Sequence, residues 1–210
     1  MSETKILDLF PIPVAVIPID PKFIALKGTL KSELSEDKRH GTHYISDNSY
    51  VLNNPVYAEL KEYITTKITN FMTQVLSIDG TARITQSWVN CNAPGQHTHL
   101  HPHPNSIVSG VLYFELPENS GDIIFHKVGQ DNGALRTYSI RPKLKKVETK
   151  YSESHRRLKL KDGDMILFPS YLLHSVPENI SNYNRWNIAF NSITEGSLGD
   201  RDSLTELLLS

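Results

Sequence analysis

The sequence predicts an α+β chain, mainly β, in which helices come first and a sandwich or barrel of short strands follows. Three observations carry that expectation. Leu60, Ile64, Ile68, Phe71, Val75 and Leu76 recur at helical spacing after Asn54-Pro55, a helix start with proline in its first turn. From Ala82 onward the pattern changes to short apolar-rich runs: Ile84–Asn90, Ile107–Leu116, Asp122–His126, Leu135–Ile140, Arg157–Leu160, Met165–Phe168 and Asn184–Asn191. Asn119-Ser120-Gly121-Asp122 and Lys161-Asp162-Gly163-Asp164 supply turn chemistry between the runs. Helices followed by many strands favour α+β over an alternating parallel architecture.

Ahead of the main helix, Ile6 to Ile19 is rich in β-formers but interrupted by Pro11, Pro13 and Pro18, which restricts it to edge strand or extended chain. A second helical stretch is expected around Phe23 to Leu34, weakened by Gly28. The main helix is expected to run to about Ser77 and to pack on a flat surface.

A chain of 210 residues suits a single domain. With 39% hydrophobic and 21% charged residues it has ordinary globular composition, and a formal charge of −1 gives no global attraction for nucleic acid or anionic membrane. Cys91 is the only cysteine, which excludes an intramolecular disulfide and any thiolate-rich metal site. Metal chemistry would have to use histidine and oxygen ligands. Met1-Ser2-Glu3-Thr4-Lys5 opens no targeting segment, and no run of 18 apolar residues occurs, so the expected location is cytoplasmic, without a membrane partner.

Histidines occupy positions 97, 99, 101 and 103, and in an extended chain alternate side chains leave from one side. His101 and His103 each precede a proline, which disfavours helix and biases both toward extended geometry. Two imidazoles hold a catalytic metal poorly, and His174, beyond the turn and apolar strand Gly163 to Ser170, is the best third ligand. Imidazole suits iron, zinc, copper or nickel alike. The competing interpretation is a solvated loop with adventitious metal affinity. His40, His43, His126 and His155 are expected to be surface or hydrogen-bonded residues.

Eleven residues after His174 stands Arg185, in a run whose alternation puts Arg185, Asn187, Ala189 and Asn191 on one face and Trp186, Ile188 and Phe190 on the other. An arginine on a strand face beside a metal ligand can clamp a carboxylate bidentately, whereas the plainer alternative is a surface salt bridge. On the strand from Ser87, alternation groups Trp88, Asn90 and Asn92. Asn90 is thus either a polar contact in the site or a core-edge amide satisfied by backbone.

Several pieces together resemble a family of 2-oxoglutarate–iron(II) oxygenases of bacteria and marine phages. They are Leu9-Phe10-Pro11, Ser87-Trp88-Val89-Asn90, Pro94-Gly95, His101-x-His103-Pro104-Asn105-Ser106, Ser109-Gly110-Val111-x-Tyr113, Leu167-Phe168-Pro169-Ser170, His174-x-Val176 and Arg185-x-x-Ile188-Ala189-Phe190-Asn191. The resemblance implies a double-stranded β-helix, or jelly-roll, with helices packed on the sheet. It divides the chain into an N-terminal segment and supporting helices over 1–80, a jelly-roll core over 81–195 and a tail over 196–210.

It also implies an Fe(II)- and 2-oxoglutarate-dependent dioxygenase that hydroxylates an unidentified substrate with release of succinate and CO2. His101, His103 and His174 correspond to the metal ligands, and Arg185 to the residue that binds the far carboxylate of 2-oxoglutarate, helped by Tyr113 and with Asn90 as a third contact. The wider superfamily uses His-x-Asp/Glu plus a distal histidine; here His101-Pro102-His103 puts histidine where the carboxylate would stand. His99 or water in the third position are the alternatives.

Expected partners are 2-oxoglutarate, O2, the primary substrate and a second copy of the chain as homodimer. The segment from Arg141 to Lys161, with nine basic residues against Glu148 and Glu153, offers a place for an acidic partner, though a solvated hairpin is the simpler explanation. The location would be the host cytoplasm for a phage-borne chain. Two rivals remain: a cupin-like metal-binding protein, suggested by Gly95 and His101-x-His103 but lacking the glutamate expected near Ile107, and a structural jelly-roll without catalysis.

Overall fold

Asn54 starts the main helix as its sequence predicts: the side chain accepts from the Val56 N–H at 3.2 Å, Pro55 opens a 3-10 turn, and α2 follows over Ala58–Asn70. These and the remaining details come from a computed structural model that describes residues 4–34, 39–40, 42–127, 143, 145, 147 and 149–209. Leu60, Ile64 and Ile68 form the buried stripe of α2. Beyond Asn70 the chain widens into a π turn over Phe71–Val75, closed by the Leu76 N–H on the Phe71 carbonyl. The extra residue shifts the apolar register: Met72 is buried with Phe71, while Val75, expected in the stripe, is half exposed.

The helix expected around Phe23 to Leu34 is shorter and tighter, a 3-10 turn at Pro21–Leu26 leading into α1 at Lys27–Lys31. Asp20 caps the turn by accepting from the Lys22 N–H at 3.0 Å.

The strands are β1 Ala15–Pro18, β2 Arg39–His40, β3 His43–Ile45, β4 Ala82–Asn92, β5 Thr98–His101, β6 Val108–Glu115, β7 Ile124–His126, β8 His155–Arg157, β9 Asp164–Pro169, β10 His174–Val176, β11 Arg185–Thr194, β12 Ser197–Leu198 and β13 Leu207–Leu208. A seven-stranded sheet has the order β1-β9-β6-β11-β4-β3-β2, a four-stranded sheet the order β5-β10-β7-β8, and β12 pairs with β13. All named strand pairs are antiparallel.

As its prolines require, β1 is an edge strand. Three strands of the large sheet come from before residue 80, the stretch assigned to support. β8 begins earlier than expected, and Leu158 and Leu160, just after it, pack between the sheets. The strand expected at 135–140 lies outside the described residues.

Alternation along the central strands separates two cores. Leu112, Phe114, Met165, Leu167, Ile188 and Phe190 face α2 and the N-terminal turns. Val111, Tyr113, Ile166, Phe168 and Ala189 face the small sheet and meet Phe125 and Val176. The large sheet is therefore covered by helix on one side and by the second sheet on the other, the jelly-roll arrangement. No helix among the described residues is long and apolar enough to cross a membrane.

Gly110 lies opposite Phe190 in this sheet, and a Cβ there would stand 2.4 Å from the Phe190 ring and 2.8 Å from the Ile166 carbonyl oxygen. Gly110→Ala is expected to cost about 2–3 kcal/mol of stability through this overpacking, measured by denaturant unfolding. A loss under about 0.5 kcal/mol would show that the Phe190 ring moves aside freely.

Candidate active site

His174 on β10 stands directly across from His101 on β5, and both side chains point between the two sheets. His103 lies two residues past β5, so its side chain leaves from the same side as that of His101. Its backbone N–H donates to the Ser170 carbonyl at 2.9 Å, tying it to the turn that leads to His174. The ring centroids of His101 and His174 are 4.4 Å apart, and His103 is 5.0 Å from each. One nitrogen from each ring falls in a group whose members all lie within 4.8 Å of one another. Such a group could hold a metal ion.

Hydrogen bonding fixes the chemistry of two of these rings. Nδ1 of His101 is 2.8 Å from the His99 carbonyl and Nδ1 of His174 is 3.0 Å from the Leu172 carbonyl. A carbonyl only accepts, so Nδ1 carries the proton in each neutral ring and Nε2 keeps its lone pair for a ligand bond. Burial lowers the pKa of His103 to about 4, helped by His101. Burial likewise brings His174 down to about 3, against the opposing bond to Leu172 and with help from its histidine neighbours. Both rings are neutral near pH 7, the form that binds metal.

The histidines share a cavity of about 280 Å³ with Arg185, Tyr113, Asn90, Asn187 and Trp88. Arg185 begins β11 and is only 3% exposed. One terminal nitrogen donates to the Gly121 carbonyl at 3.0 Å and the other to Asn92 Oδ1 at 3.3 Å, while Nε has no partner. The guanidinium carbon sits 5.8 Å from the centre of the Tyr113 ring. No carboxylate pairs with Arg185 among the described residues, and burial lowers its pKa. Burial raises the Tyr113 phenol to about 12, so it remains a neutral donor.

Both faces expected for β11 are realised: Arg185, Asn187 and Ala189 line the cavity, whereas Ile188 and Phe190 enter the helix-side core. Arg185 is thus no surface salt bridge. Asn90 also reaches the cavity, and its Nδ2 donates to Asn187 Oδ1 at 2.9 Å, a side-chain partner rather than the backbone. His97 is exposed. His99 lines the cavity with its ring 5.1 Å from His101, but it does not join the group of three.

His43 differs from expectation, being buried in the cavity wall on β3. Its three-residue strand carries no periodicity that could have announced this. His126 and His155 do bond to Ser175 and Ser154 as expected. In the basic segment Lys150, Arg156 and Arg157 pair with Asp8, Glu153 and Asp122; Arg141, Lys146 and Glu148 lie outside the described residues. A wider, open groove of about 510 Å³ beside Trp186, on the opposite face of β11, contains no histidine.

No curated protein matches this sequence significantly. Solved structures do match the fold. An oxidoreductase of the 2OG-Fe(II) oxygenase family from Burkholderia pseudomallei is 14% identical, with 85% of this chain and 83% of that one covered and a TM-score of 0.60. HygX from Streptomyces hygroscopicus, crystallised with nickel, 2-oxoglutarate and hygromycin B, is 12% identical over 86% and 82% of the two chains, with a TM-score of 0.60. A prolyl-4-hydroxylase from Pseudomonas putida is 11% identical over 88% and 94%, with a TM-score of 0.59. At these identities the likeness concerns the double-stranded β-helix alone. The sequence itself matches the family described as "Putative 2OG-Fe(II) oxygenase" over residues 86–191, half of the chain and every residue discussed around the cavity except His43, and so the chain belongs to the 2OG-Fe(II) oxygenase family.

Proposed function

We propose that the whole chain acts as one oxygenase domain that hydroxylates a primary substrate, with His101, His103 and His174 holding iron(II) and Arg185 and Tyr113 holding the far carboxylate of 2-oxoglutarate. The carrying observation is Arg185, a buried guanidinium with an unpartnered Nε and no carboxylate in contact with it among the described residues, in the same cavity as three converging imidazoles. Asp122 acts on it only at a distance; a buried cation without a contacting counter-charge is costly, and a dicarboxylate supplies the missing charge and acceptors.

The donor set fits a first-row divalent metal: three imidazoles, two with Nε2 free and Nδ1 committed to a carbonyl. Iron(II) with 2-oxoglutarate, when bound, supplies the oxidation: O2 is consumed, 2-oxoglutarate becomes succinate and CO2, and a C–H bond of the substrate becomes C–OH. The protein orients and shields. Arg185 and the Tyr113 hydroxyl fix the distal end of the cosubstrate, the Asn90–Asn187 pair bounds it on the sheet side, and Trp88 walls the space beside His103, its ring 5.9 Å away. Phe125 and Phe168, each within about 6 Å of the His174 ring, keep the rear of the histidine cluster dry.

A neutral histidine in place of a carboxylate leaves the centre one unit more positive, so metal is held less tightly than by a His-x-Asp site. Cupin-type metal binding loses its ground, because no carboxylate joins the histidines among the described residues and Arg185 has no part in it. A jelly-roll without turnover is separated by assay.

Anaerobic addition of iron(II) and 2-oxoglutarate should produce a visible charge-transfer band, and admission of air should yield succinate. Metal-replete protein that gives neither sinks the reading. Arg185→Ala should raise the KM for 2-oxoglutarate by about 10- to 100-fold while leaving metal content unchanged, the loss of a charge-assisted pair. His174→Ala should abolish metal retention instead.

The metal-free protein should lose stability as pH falls. His103 and His174 titrate near 4 and 3 when folded against an ordinary value of 6.5, so below 6.5 the unfolded chain takes up protons that the folded chain refuses. Their contribution is complete above pH 6.5 and is lost as pH falls toward those folded values, at up to about 1.4 kcal/mol per pH unit for each ring. Thermal melts from neutral to mildly acidic pH should show this slope, flattened in His174→Gln. An unchanged slope in the variant would mean His174 is not the group responsible.

A further inference from the structure

On the same side of the large sheet as the cavity, but outside its lining, lies a chain of buried and half-buried hydroxyls. Ser170 Oγ is 2.8 Å from both Ser109 Oγ and Ser106 Oγ, Ser109 Oγ is 2.8 Å from Asn191 Oδ1, and Ser106 Oγ donates to the Ser192 carbonyl at 3.1 Å. Ser109 and Ser170 are 1% exposed and Asn191 is 7% exposed. Three segments that are far apart in sequence, 106–109, 170 and 191–192, meet here.

The Ser109 hydroxyl donates to Asn191 Oδ1 and the Ser170 hydroxyl to Ser106 Oγ, while either hydroxyl can donate in the Ser109–Ser170 contact that joins them. The Ser192 N–H also donates to Ser106 Oγ at 3.1 Å.

The chain grips both segments that carry the histidines. Ser106 belongs to the turn begun by His103-Pro104-Asn105, in which Asn105 has a left-handed φ of 57°. Ser170 opens the turn to His174; its carbonyl accepts the His103 N–H, and its own N–H donates to the Ile107 carbonyl. Leu172, within that same turn, supplies the carbonyl that fixes the His174 tautomer.

We propose that Ser109, Ser170 and Asn191 are positioning residues for the metal site: their hydrogen-bond chain locks the His103 turn to the His174 turn and thereby sets the spacing of the imidazoles. The proposal rests on His101, His103 and His174 being the ligands. Removing one link from a buried chain leaves its neighbours short of a donor or acceptor, and the slack falls on the two turns. Support behind metal ligands of this kind is worth about 10- to 100-fold in metal affinity.

The test is anaerobic titration of the full-length protein with cobalt(II), reading the dissociation constant and the visible ligand-field spectrum. Ser109→Ala, Ser170→Ala and Asn191→Leu should each weaken cobalt binding about tenfold and alter the spectrum, and Ser109→Thr, which keeps the hydroxyl, should restore both. Ser46→Ala is the control, because that buried hydroxyl also makes two hydrogen bonds, to Asn48 and Val89, but touches neither turn. It should lower thermal stability while leaving cobalt affinity and spectrum unchanged. Unchanged affinity and spectrum in the three chain variants, or an equal loss in Ser46→Ala, overturns the proposal. If His103→Ala also binds cobalt normally, the ligand assignment has failed and the positioning role falls with it; if only the chain variants bind normally, the assignment stands and the positioning role alone is wrong.

Discussion

His174 and His101 face each other because β10 and β5 pair antiparallel with these two residues as partners, the register shifting only beyond them toward Val176, and the site depends on that pairing. A slip of one residue would turn every side chain on the moving strand to the opposite face. His174 would then leave the space between the sheets and Ser175, which bonds His126 on the outer side, would enter it. Such short strands specify register weakly by themselves. The fixing comes from next door: β10 also pairs with β7, the backbone bonds from Gly95 N–H to the Asn179 carbonyl and from Asn179 N–H to the Gln96 carbonyl close the far end, and the His103–Ser170 bond closes the near end. The large sheet contributes the opposing wall, with β11 held on both sides by long ladders to β4 and β6.

That division of labour explains where polarity is tolerated. The helix-side core is apolar but for the buried Ser87 hydroxyl that accepts from the Leu52 N–H, while the inter-sheet core changes along its length from Ile166, Phe168 and Phe125 to Asn90, Asn187 and Arg185. A buried guanidinium with two hydrogen bonds retains a substantial desolvation cost. Its neighbours reduce that cost without neutralising the charge: the Gly121 carbonyl, Asn92 and the face of Tyr113. Gly121 can aim its carbonyl there because its φ of 95° is left-handed and because a Cβ would strike the Pro177 carbonyl at 2.6 Å. The folded chain thus maintains a fixed positive charge in the same cavity as the histidine nitrogens.

Much of this was legible from sequence. Arg185, Asn187 and Ala189 could be assigned to one face because period-two alternation survives in a ten-residue strand. The prolines after His101 and His103 announced an extended backbone, although their meeting with His174 depends on tertiary pairing that no local pattern encodes. His43 was invisible for that reason: its strand has three residues, and its place in the cavity wall follows from pairing with β4 at a distance of nearly fifty residues. The π turn at Phe71–Val75 escaped because it preserves apolar content while shifting phase by one residue. Ser106, Ser109 and Ser170 read individually as turn or strand-edge residues, and only their burial together gives them meaning.

The histidine at position 103 sharpens the electrostatics of the whole arrangement. A His-His-carboxylate centre carries one net positive charge with a divalent metal, and a dianionic cosubstrate takes it below neutrality, a deficit that a buried arginine offsets. With the three proposed imidazole ligands, a divalent metal and the dianion would already balance, so Arg185 would make the assembled site positive by one unit in a medium of low polarity. Burial of His103 and His174 prevents protonation from adding to that excess at neutral pH. Among the cavity-lining residues no Asp or Glu offsets it. Asp122, next to the Gly121 whose carbonyl Arg185 bonds, acts on the guanidinium electrostatically and offsets part of the excess from outside the cavity lining.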